Sequence, residues 1–117
     1  MFDNNAGDLQ VTSRPEGDGF VVTPAGDIDL TGSPTLREEL KRLSNSRPAR
    51  LVVDLSGVPY MDSSGVATLV EALQIAKKNR SKLVLCSLQD RVRSIFEIAR
   101  LETVFTIAPT LDAAMRV

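Results

Sequence analysis

Apolar and polar residues alternate at the start of the chain and later follow longer periods. Residues 9–13 alternate in the manner of a strand, residues 16–19 supply turn-forming Gly and Asp, and residues 20–23 form a second apolar segment. This pattern predicts a β-hairpin. Pro24 has no N–H to donate to a sheet, so it predicts an edge, a bulge or a bend before residues 27–30.

Helical spacing of apolar residues begins after this segment. Leu36, Leu40 and Leu43 follow each other at positions i, i+4 and i+7, and the opposite side is charged. Ser33 is a candidate N-cap, and Pro34 suits the first helical position. The sequence therefore predicts a first helix that begins at Ser33 and closes at the polar residues 44–48.

The remaining elements alternate between apolar strands and amphipathic helices. The strands are predicted at residues 51–55, 82–86 and 104–107. One long helix is expected to end near Asn79, a third to be capped by Asp90, and a brief fourth helix to follow the last strand. The resulting order, β-β-α-β-α-β-α-β-α, predicts an α/β fold with a mainly parallel sheet, an N-terminal hairpin and about four helices.

Length and composition limit the classes of function. The 117 residues suffice for one domain, assigned to residues 8–117 behind a flexible leader at residues 1–7. Fourteen basic and fifteen acidic residues leave no basic surplus, so we expect no direct nucleic-acid partner. No apolar run is long enough for a membrane span and no signal peptide is evident, so we expect a cytoplasmic protein without membrane association.

Missing residue types exclude several kinds of catalytic site. The chain has no histidine and a single cysteine, Cys86, which lies in an apolar run that predicts a buried strand. A Ser-His-Asp triad and a structural zinc site therefore cannot be assembled. We expect a protein that is not an enzyme and that needs no metal or cofactor.

One polar segment, residues 54–66, joins a buried strand to a helix N-terminus. Its Asp62, Ser63 and Ser64 are residue types that commonly cap helices. The same place at the carboxyl end of a parallel strand favours ligands, and the free N–H groups of the helix favour phosphate. Gly65 requires a further reason, such as the close approach of a backbone or partner, because glycine costs about 1 kcal/mol inside a helix.

The residues of this segment carry a family resemblance. Residues 51–72, which contain the motif MDSSG at 61–65, resemble the core of STAS domains, the family of the anti-sigma factor antagonists. Residues 26–36 and 95–114 are similar to the same family. One departure is Arg100, at a position where many members have glycine after the third helix.

The resemblance implies a partner-switching function. Family members of this kind bind an anti-sigma factor that is a serine kinase, which frees a sigma factor; the kinase then uses ATP to phosphorylate the antagonist, and a serine phosphatase resets it. The implied phosphoacceptor is Ser64, with Ser63 as the alternative and mainly as a helix cap. Asp29 matches an acidic position near the kinase-binding face, and Asp27 is a less secure match. The expected partner-binding residues surround this serine and are exposed at the margin of the docking face. They are Asp29, Thr31, Asp62, Ser63, Gly65, Val66 and Leu69.

Three alternatives remain open at the level of sequence. A response-regulator receiver phosphorylated on Asp54 has a similar loop, but the acids that would hold Mg²⁺ and the lysine after the last strand are missing. A STAS scaffold or a subunit of a stress-signalling or lipid-transport complex would keep the fold and change the function. A small-ligand site has only the weak support of the glycines in the predicted hairpin turn.

Overall fold

A β-hairpin opens the part of the chain that the computed structural model describes, residues 8–117; the predicted leader at residues 1–7 lies outside the described residues. Strands β1 (Gln10–Glu16) and β2 (Gly19–Ala25) pair antiparallel, from Gln10 opposite Ala25 to Glu16 opposite Gly19. Gly17 begins the turn with a φ of 59°, a left-handed conformation that favours glycine. The predicted hairpin is confirmed.

The later elements alternate between helices and parallel strands. Strands β2 to β5 are parallel, and the sheet order is β1-β2-β3-β4-β5. This arrangement confirms the predicted single α/β domain with a mainly parallel sheet. After the hairpin the elements are α1 (Ser33–Ser44), β3 (Arg50–Asp54), α2 (Ser63–Asn79), β4 (Lys82–Cys86), α3 (Asp90–Ile98), a 3-10 turn (Leu101–Thr103), β5 (Thr106–Ala108) and α4 (Leu111–Ala114).

Alternate residues of the central strands face two separate hydrophobic clusters. In β3, Leu51 and Val53 join the large cluster that includes the apolar sides of α1, α2 and α3, whereas Val52 joins a smaller cluster with α4. Cys86 belongs to the smaller cluster, and burial raises the pKa of its thiol to about 11. Burial on both faces explains why β3 and β4 read as continuous apolar runs.

Two helix starts differ from their predictions. Ser33 is the first residue of α1 rather than its cap, and its side chain makes no capping bond. Gly32 occupies the cap position without a side-chain bond, and the carboxylate of Asp29 orders the turn before the helix by accepting the N–H groups of Thr31 and Gly32. Asp90 also lies inside its helix and forms no cap; Gln89 precedes it and donates its side-chain amide to the carbonyl of Ser56 at 2.8 Å.

The last strand begins later than its apolar pattern predicts. Val104 is 51% exposed, and β5 is confined to Thr106–Ala108. The preceding 3-10 turn takes up residues between α3 and the strand, so fewer residues remain to pair with β4.

Arg100, which departs from the family's glycine, has a φ of 61°, so the position does adopt the conformation that glycine prefers.

Among residues 8–117, no helix combines the length and the apolar character needed to cross a bilayer.

Candidate functional site

Two chain segments meet beyond the carboxyl ends of β2 and β3. Gly26, with a φ of 116°, turns the chain after β2 and so supplies the bend predicted near Pro24. Ile28 then donates its N–H to the carbonyl of Tyr60 at 3.0 Å and accepts from the N–H of Asp62 at 3.1 Å. This short parallel bridge brings the region around Asp29 next to the start of α2.

Asp62 caps α2. Its Oδ1 accepts the backbone N–H of Ser64 at 2.8 Å and that of Gly65 at 3.4 Å. The predicted cap role of Ser63 is therefore wrong; its side chain is exposed, and the longer carboxylate of the preceding residue reaches the free N–H groups instead. The hydrogen bond from the Ser64 hydroxyl, together with these backbone bonds, holds the pKa of Asp62 below its usual range.

The Ser64 side chain is half-buried and has a defined direction. Its Oγ donates to Oδ1 of Asp62 at 2.6 Å, a short distance typical of a hydroxyl bound to a carboxylate. The Ser64 carbonyl also accepts from Oγ1 of the buried Thr68 at 3.0 Å. The two serines thus differ: one hydroxyl is fixed by a charged acceptor at the helix start, and the other belongs to an exposed residue.

Gly65 is required by a close approach within the domain. A Cβ built on it would lie 2.6 Å from Cγ of Met61 and 2.8 Å from the backbone oxygen of Ile28. This is the close backbone approach that the sequence left as one possible reason for the glycine. Gly65 is itself buried, so the expectation that it contacts a partner directly conflicts with its position.

Asp29 follows the residue that bridges to Met61, and its side chain orders the loop that contains Thr31. Oδ1 of Asp29 accepts the backbone N–H of Thr31 at 3.1 Å and that of Gly32 at 2.9 Å, which orders the entry to α1. Asp29 is half-buried and Thr31 is exposed. Both are accessible, yet Asp29 is not a carboxylate that can be altered without a local structural effect.

The residues of α2 behind the serines divide into two groups. Val66 is half-buried and reaches the surface, as expected of a residue at the margin of a docking face. Leu69 has no exposed area and packs in the large core cluster, so its predicted place at the exposed margin is wrong. The helical turn that carries Val66 outward points Leu69 toward the sheet.

Two further features at this edge could not be predicted from the sequence. Leu30 is 77% exposed although it is a large aliphatic residue, and its backbone contributes to lowering the pKa of Asp62. The guanidinium of Arg91, at the start of α3, lies 5.3 Å from the ring centroid of Tyr60. The exposure of Leu30 could not be predicted because a leucine in a sequence looks the same whether it is exposed or in the core. The contact of Arg91 with Tyr60 could not be predicted because the two residues come from distant segments.

The sheet order excludes the receiver alternative. A receiver has a parallel sheet of order 2-1-3-4-5, whereas this sheet begins with an antiparallel edge strand and runs in sequence order. Asp54, the alternative phosphorylation residue, accepts the backbone N–H of Ser56 at 3.0 Å and thereby orders the loop after β3.

The fold and this site define a STAS protein. The STAS domain family model matches residues 9–114, and the chain belongs to that family. A relative from Bacillus subtilis named anti-sigma-B factor antagonist is 32% identical over 108 residues, which cover 92% of this chain and 98% of the relative. A relative of the same name from Listeria monocytogenes is 36% identical over 90 residues, covering 77% and 79%.

A solved structure has the same architecture. The crystal structure of an anti-sigma factor antagonist from Mycobacterium paratuberculosis superposes with a TM-score of 0.86, at 24% identity and with 92% of each chain covered. At this identity the likeness concerns the fold, and it agrees with the family assignment made from the sequence.

Proposed function

We propose that this STAS protein is an anti-sigma factor antagonist whose docking face is switched by phosphorylation of Ser64. In this function it binds an anti-sigma factor that is a serine kinase, and this binding releases a sigma factor. The kinase phosphorylates Ser64 and the complex dissociates. A serine phosphatase then removes the phosphoryl group and restores binding. The names of its relatives support the antagonist function, and the observation that carries the switch is the geometry of Ser64 at the start of α2.

Three properties of Ser64 support it as the phosphoacceptor. Its hydroxyl is fixed by Asp62, with 2.6 Å between Oγ and Oδ1, so the proton points to the carboxylate and the lone pairs are free for attack. The side chain is half-buried and within reach of a docked enzyme. The helix N-terminus also favours the negative charge that phosphorylation adds.

The transfer itself requires ATP bound by the partner kinase. Oγ of Ser64 forms a bond to the γ-phosphorus, the bond between that phosphorus and the bridging oxygen of ADP breaks, and the hydroxyl proton leaves to a base. In the free domain this proton stays on Oγ and is hydrogen-bonded to Oδ1 of Asp62. The step yields ADP and phosphoserine and needs no group beyond ATP and the kinase's own metal-bound site.

Release of the partner follows from charge and bulk at one face. A phosphoryl group adds about −1.5 to −2 charges beside the carboxylate of Asp62. In water this is tolerated, but within a docked interface both charges must be desolvated together. A change from 99:1 bound to 1:99 bound requires about 5.5 kcal/mol of differential affinity. We expect the phosphoserine to supply much of it without refolding the domain.

The proposed docking face consists of accessible residues around the serine. Leu69 and Gly65 are left out because they are buried, and Leu30 is added because its side chain is exposed and it follows Asp29 in the segment that bridges to the start of α2. The face is formed by Asp29, Leu30, Thr31, Asp62, Ser63, Ser64 and Val66.

Phosphopeptide mapping tests the assignment. The protein is incubated with its cognate kinase and ATP, and the label is located by mass spectrometry in the wild type, in Ser64→Ala and in the matched control Ser63→Ala. We expect label on Ser64, its loss in Ser64→Ala and its retention in Ser63→Ala. Label on Ser63 alone, or undiminished label in Ser64→Ala, would refute the assignment.

The partner is identified by a pull-down from the source cell. Recovery of a serine kinase that binds the unmodified protein and not the phosphoprotein is the expected result. Recovery of transporter or scaffold subunits, independent of the state of Ser64, would favour the alternative of a STAS scaffold and contradict this proposal.

A further inference from the structure

The end of the molecule opposite Ser64 collects basic side chains. Because β3 and β4 are parallel and each follows a helix, the C-terminal ends of α1 and α2 lie at the same end as the beginnings of these strands. Ser81 donates its hydroxyl to the carbonyl of Pro48 and Asn79 donates its side-chain amide to the carbonyl of Ser44, which joins the two helix ends. The hairpin turn, with the exposed carboxylates of Glu16 and Asp18, lies at this end as well. The exposed cations of this basic end are Lys41, Arg47, Lys77, Lys78, Arg80 and Lys82.

A groove of about 340 Å³ lies between the two helix ends. Lys41, Arg47 and Lys78 line it, and Ile75 contributes an apolar wall; no carboxylate lines it. The groove therefore combines positive charge with a hydrophobic surface.

These cations have little internal compensation. Within residues 8–117, Arg47, Lys77, Lys78 and Arg80 take part in none of the ion pairs, which are Arg14–Glu16, Arg37–Glu71, Arg42–Glu39 and Arg116–Asp112. The pKa of Glu71 is lowered chiefly by its hydrogen bonds from Nε and Nη2 of Arg37, at 2.6 and 3.1 Å, and the charge of Lys41 adds only a minor contribution.

Two of the arginines hold a backbone conformation that favours glycine. Arg47 has a φ of 50° and Arg80, the C-cap of α2, has a φ of 58°. The left-handed conformation costs a side-chain-bearing residue roughly 1 kcal/mol or more. The helix dipole accounts for cations in the last turn of α2, yet Arg47 lies beyond the end of α1, and the dipole does not require arginine rather than glycine at either strained position. Arg100, which lies outside the groove, has the same conformation, so the left-handed backbone marks positions where arginine can be exchanged for glycine without disturbing the fold.

We propose that this groove binds an acidic segment of a partner protein, with carboxylates on the basic rim and an apolar side chain against Ile75. A protein segment fits better than nucleic acid, because the formal net charge of the chain is −1 and the basic groups surround one short groove. The site is at the opposite end from Ser64, so it is independent of the phosphorylation switch and can be occupied at the same time.

Fluorescence polarisation with a defined probe tests this inference. The probe is a fluorescein-labelled peptide of four Glu-Glu-Leu repeats, and the same peptide with glutamine in place of glutamate is the negative probe. Arg47→Gly should weaken binding by about two- to five-fold, the effect of losing one partly exposed ion pair, and Lys78→Glu should weaken it more. Arg47→Gly should also unfold at a higher temperature, because it relieves strain.

Arg100→Gly is the matched control. Arg100 has the same left-handed conformation and the same charge, with a φ of 61°, but it does not line the groove. It should raise the unfolding temperature and leave peptide binding unchanged. Equal weakening in Arg100→Gly, unchanged binding in the two groove variants, or tighter groove-dependent binding of duplex DNA or of phosphatidylserine vesicles than of the peptide would each overturn the proposal.

Discussion

Oδ1 of Asp62 accepts both the backbone N–H of Ser64 at 2.8 Å and the hydroxyl of Ser64 at 2.6 Å. One carboxylate oxygen thus begins the helix and also orients the proposed phosphoacceptor. Stability of the helix start and reactivity of the serine are therefore linked through a single side chain.

Replacing Asp62 should lower both the stability of the protein and the rate of phosphorylation, unlike replacing an aspartate that caps no helix. Asp62→Ala should lower the free energy of unfolding by about 1 kcal/mol, because two backbone N–H groups lose their cap. It should also slow phosphorylation of Ser64, because the hydroxyl loses its acceptor. Chemical denaturation and initial phosphorylation rates measure the two effects.

Asp90→Ala is the matched control for that change. Asp90 lies in the first turn of α3 and caps nothing, so the loss of stability should be smaller, and the phosphorylation rate should stay the same. Equal losses in both variants would mean that the cap at Asp62 contributes little beyond its charge.

Phosphorylation of Ser64 should change the docking face and leave the fold intact. Backbone amide chemical shifts of the unmodified and phosphorylated proteins should differ only near the start of α2 and around Asp29 and Leu30, together with a loss of partner binding. Ser64→Asp should fold normally and bind poorly, although one carboxylate is a weaker mimic than phosphate. Widespread shifts that reach α3 would show that the switch is conformational.

Asp29 should respond differently to two substitutions. Asp29→Asn keeps a side-chain oxygen for the N–H groups of Thr31 and Gly32 but removes the charge, so stability should be nearly unchanged while partner affinity falls by about 1–3 kcal/mol, as for a charged hydrogen bond. Asp29→Ala should in addition lose about 1 kcal/mol of stability. Calorimetric titration of the partner and thermal unfolding measure these effects; unchanged affinity in Asp29→Asn would remove Asp29 from the docking face.

Gly65→Ala should destabilise the protein although alanine favours a helix. The new methyl group would meet the backbone oxygen of Ile28 at 2.8 Å, so the two segments of the site must separate, at a cost of about 1–3 kcal/mol. At Gly57, the matched control, the nearest atom to an added Cβ is at 3.3 Å, and a smaller loss is expected. A stabilised Gly65→Ala protein in denaturant titrations would contradict the role assigned to the close approach.

The Glu39 carboxylate should make stability depend on acid pH. Hydrogen bonds from Arg42 and from Ser13 lower its pKa from 4.5 to about 2. A lowered pKa in the folded state stabilises the protein above pH 4.5, and this stabilisation is lost as the pH falls toward 2. The slope of the unfolding free energy over this range should decrease in Glu39→Gln and persist in the neighbouring Glu38→Gln; an identical slope in all three proteins would refute the assignment.

The sequence by itself determined the element order, the hairpin and the place of the serine pair at a helix start. Alternating and helical apolar spacing is a local property, so it predicted every strand and helix, and the MDSSG motif placed the serines at a helix start. The identity of the cap was less accessible, because Asp62, Ser63 and Ser64 are all good capping residues and only the backbone path decides which side chain reaches the free N–H groups.

Only the tertiary structure decided which residues are accessible and which approach each other. Leu30 and Leu69 are both leucine in apolar patterns, yet one is 77% exposed and the other has no exposed area, because the first follows the turn at Asp29 and the second faces the sheet. The need for glycine at position 65 comes from Ile28, which is remote in sequence. Contacts between distant segments depend on how the elements pack, and local spacing carries no information about them.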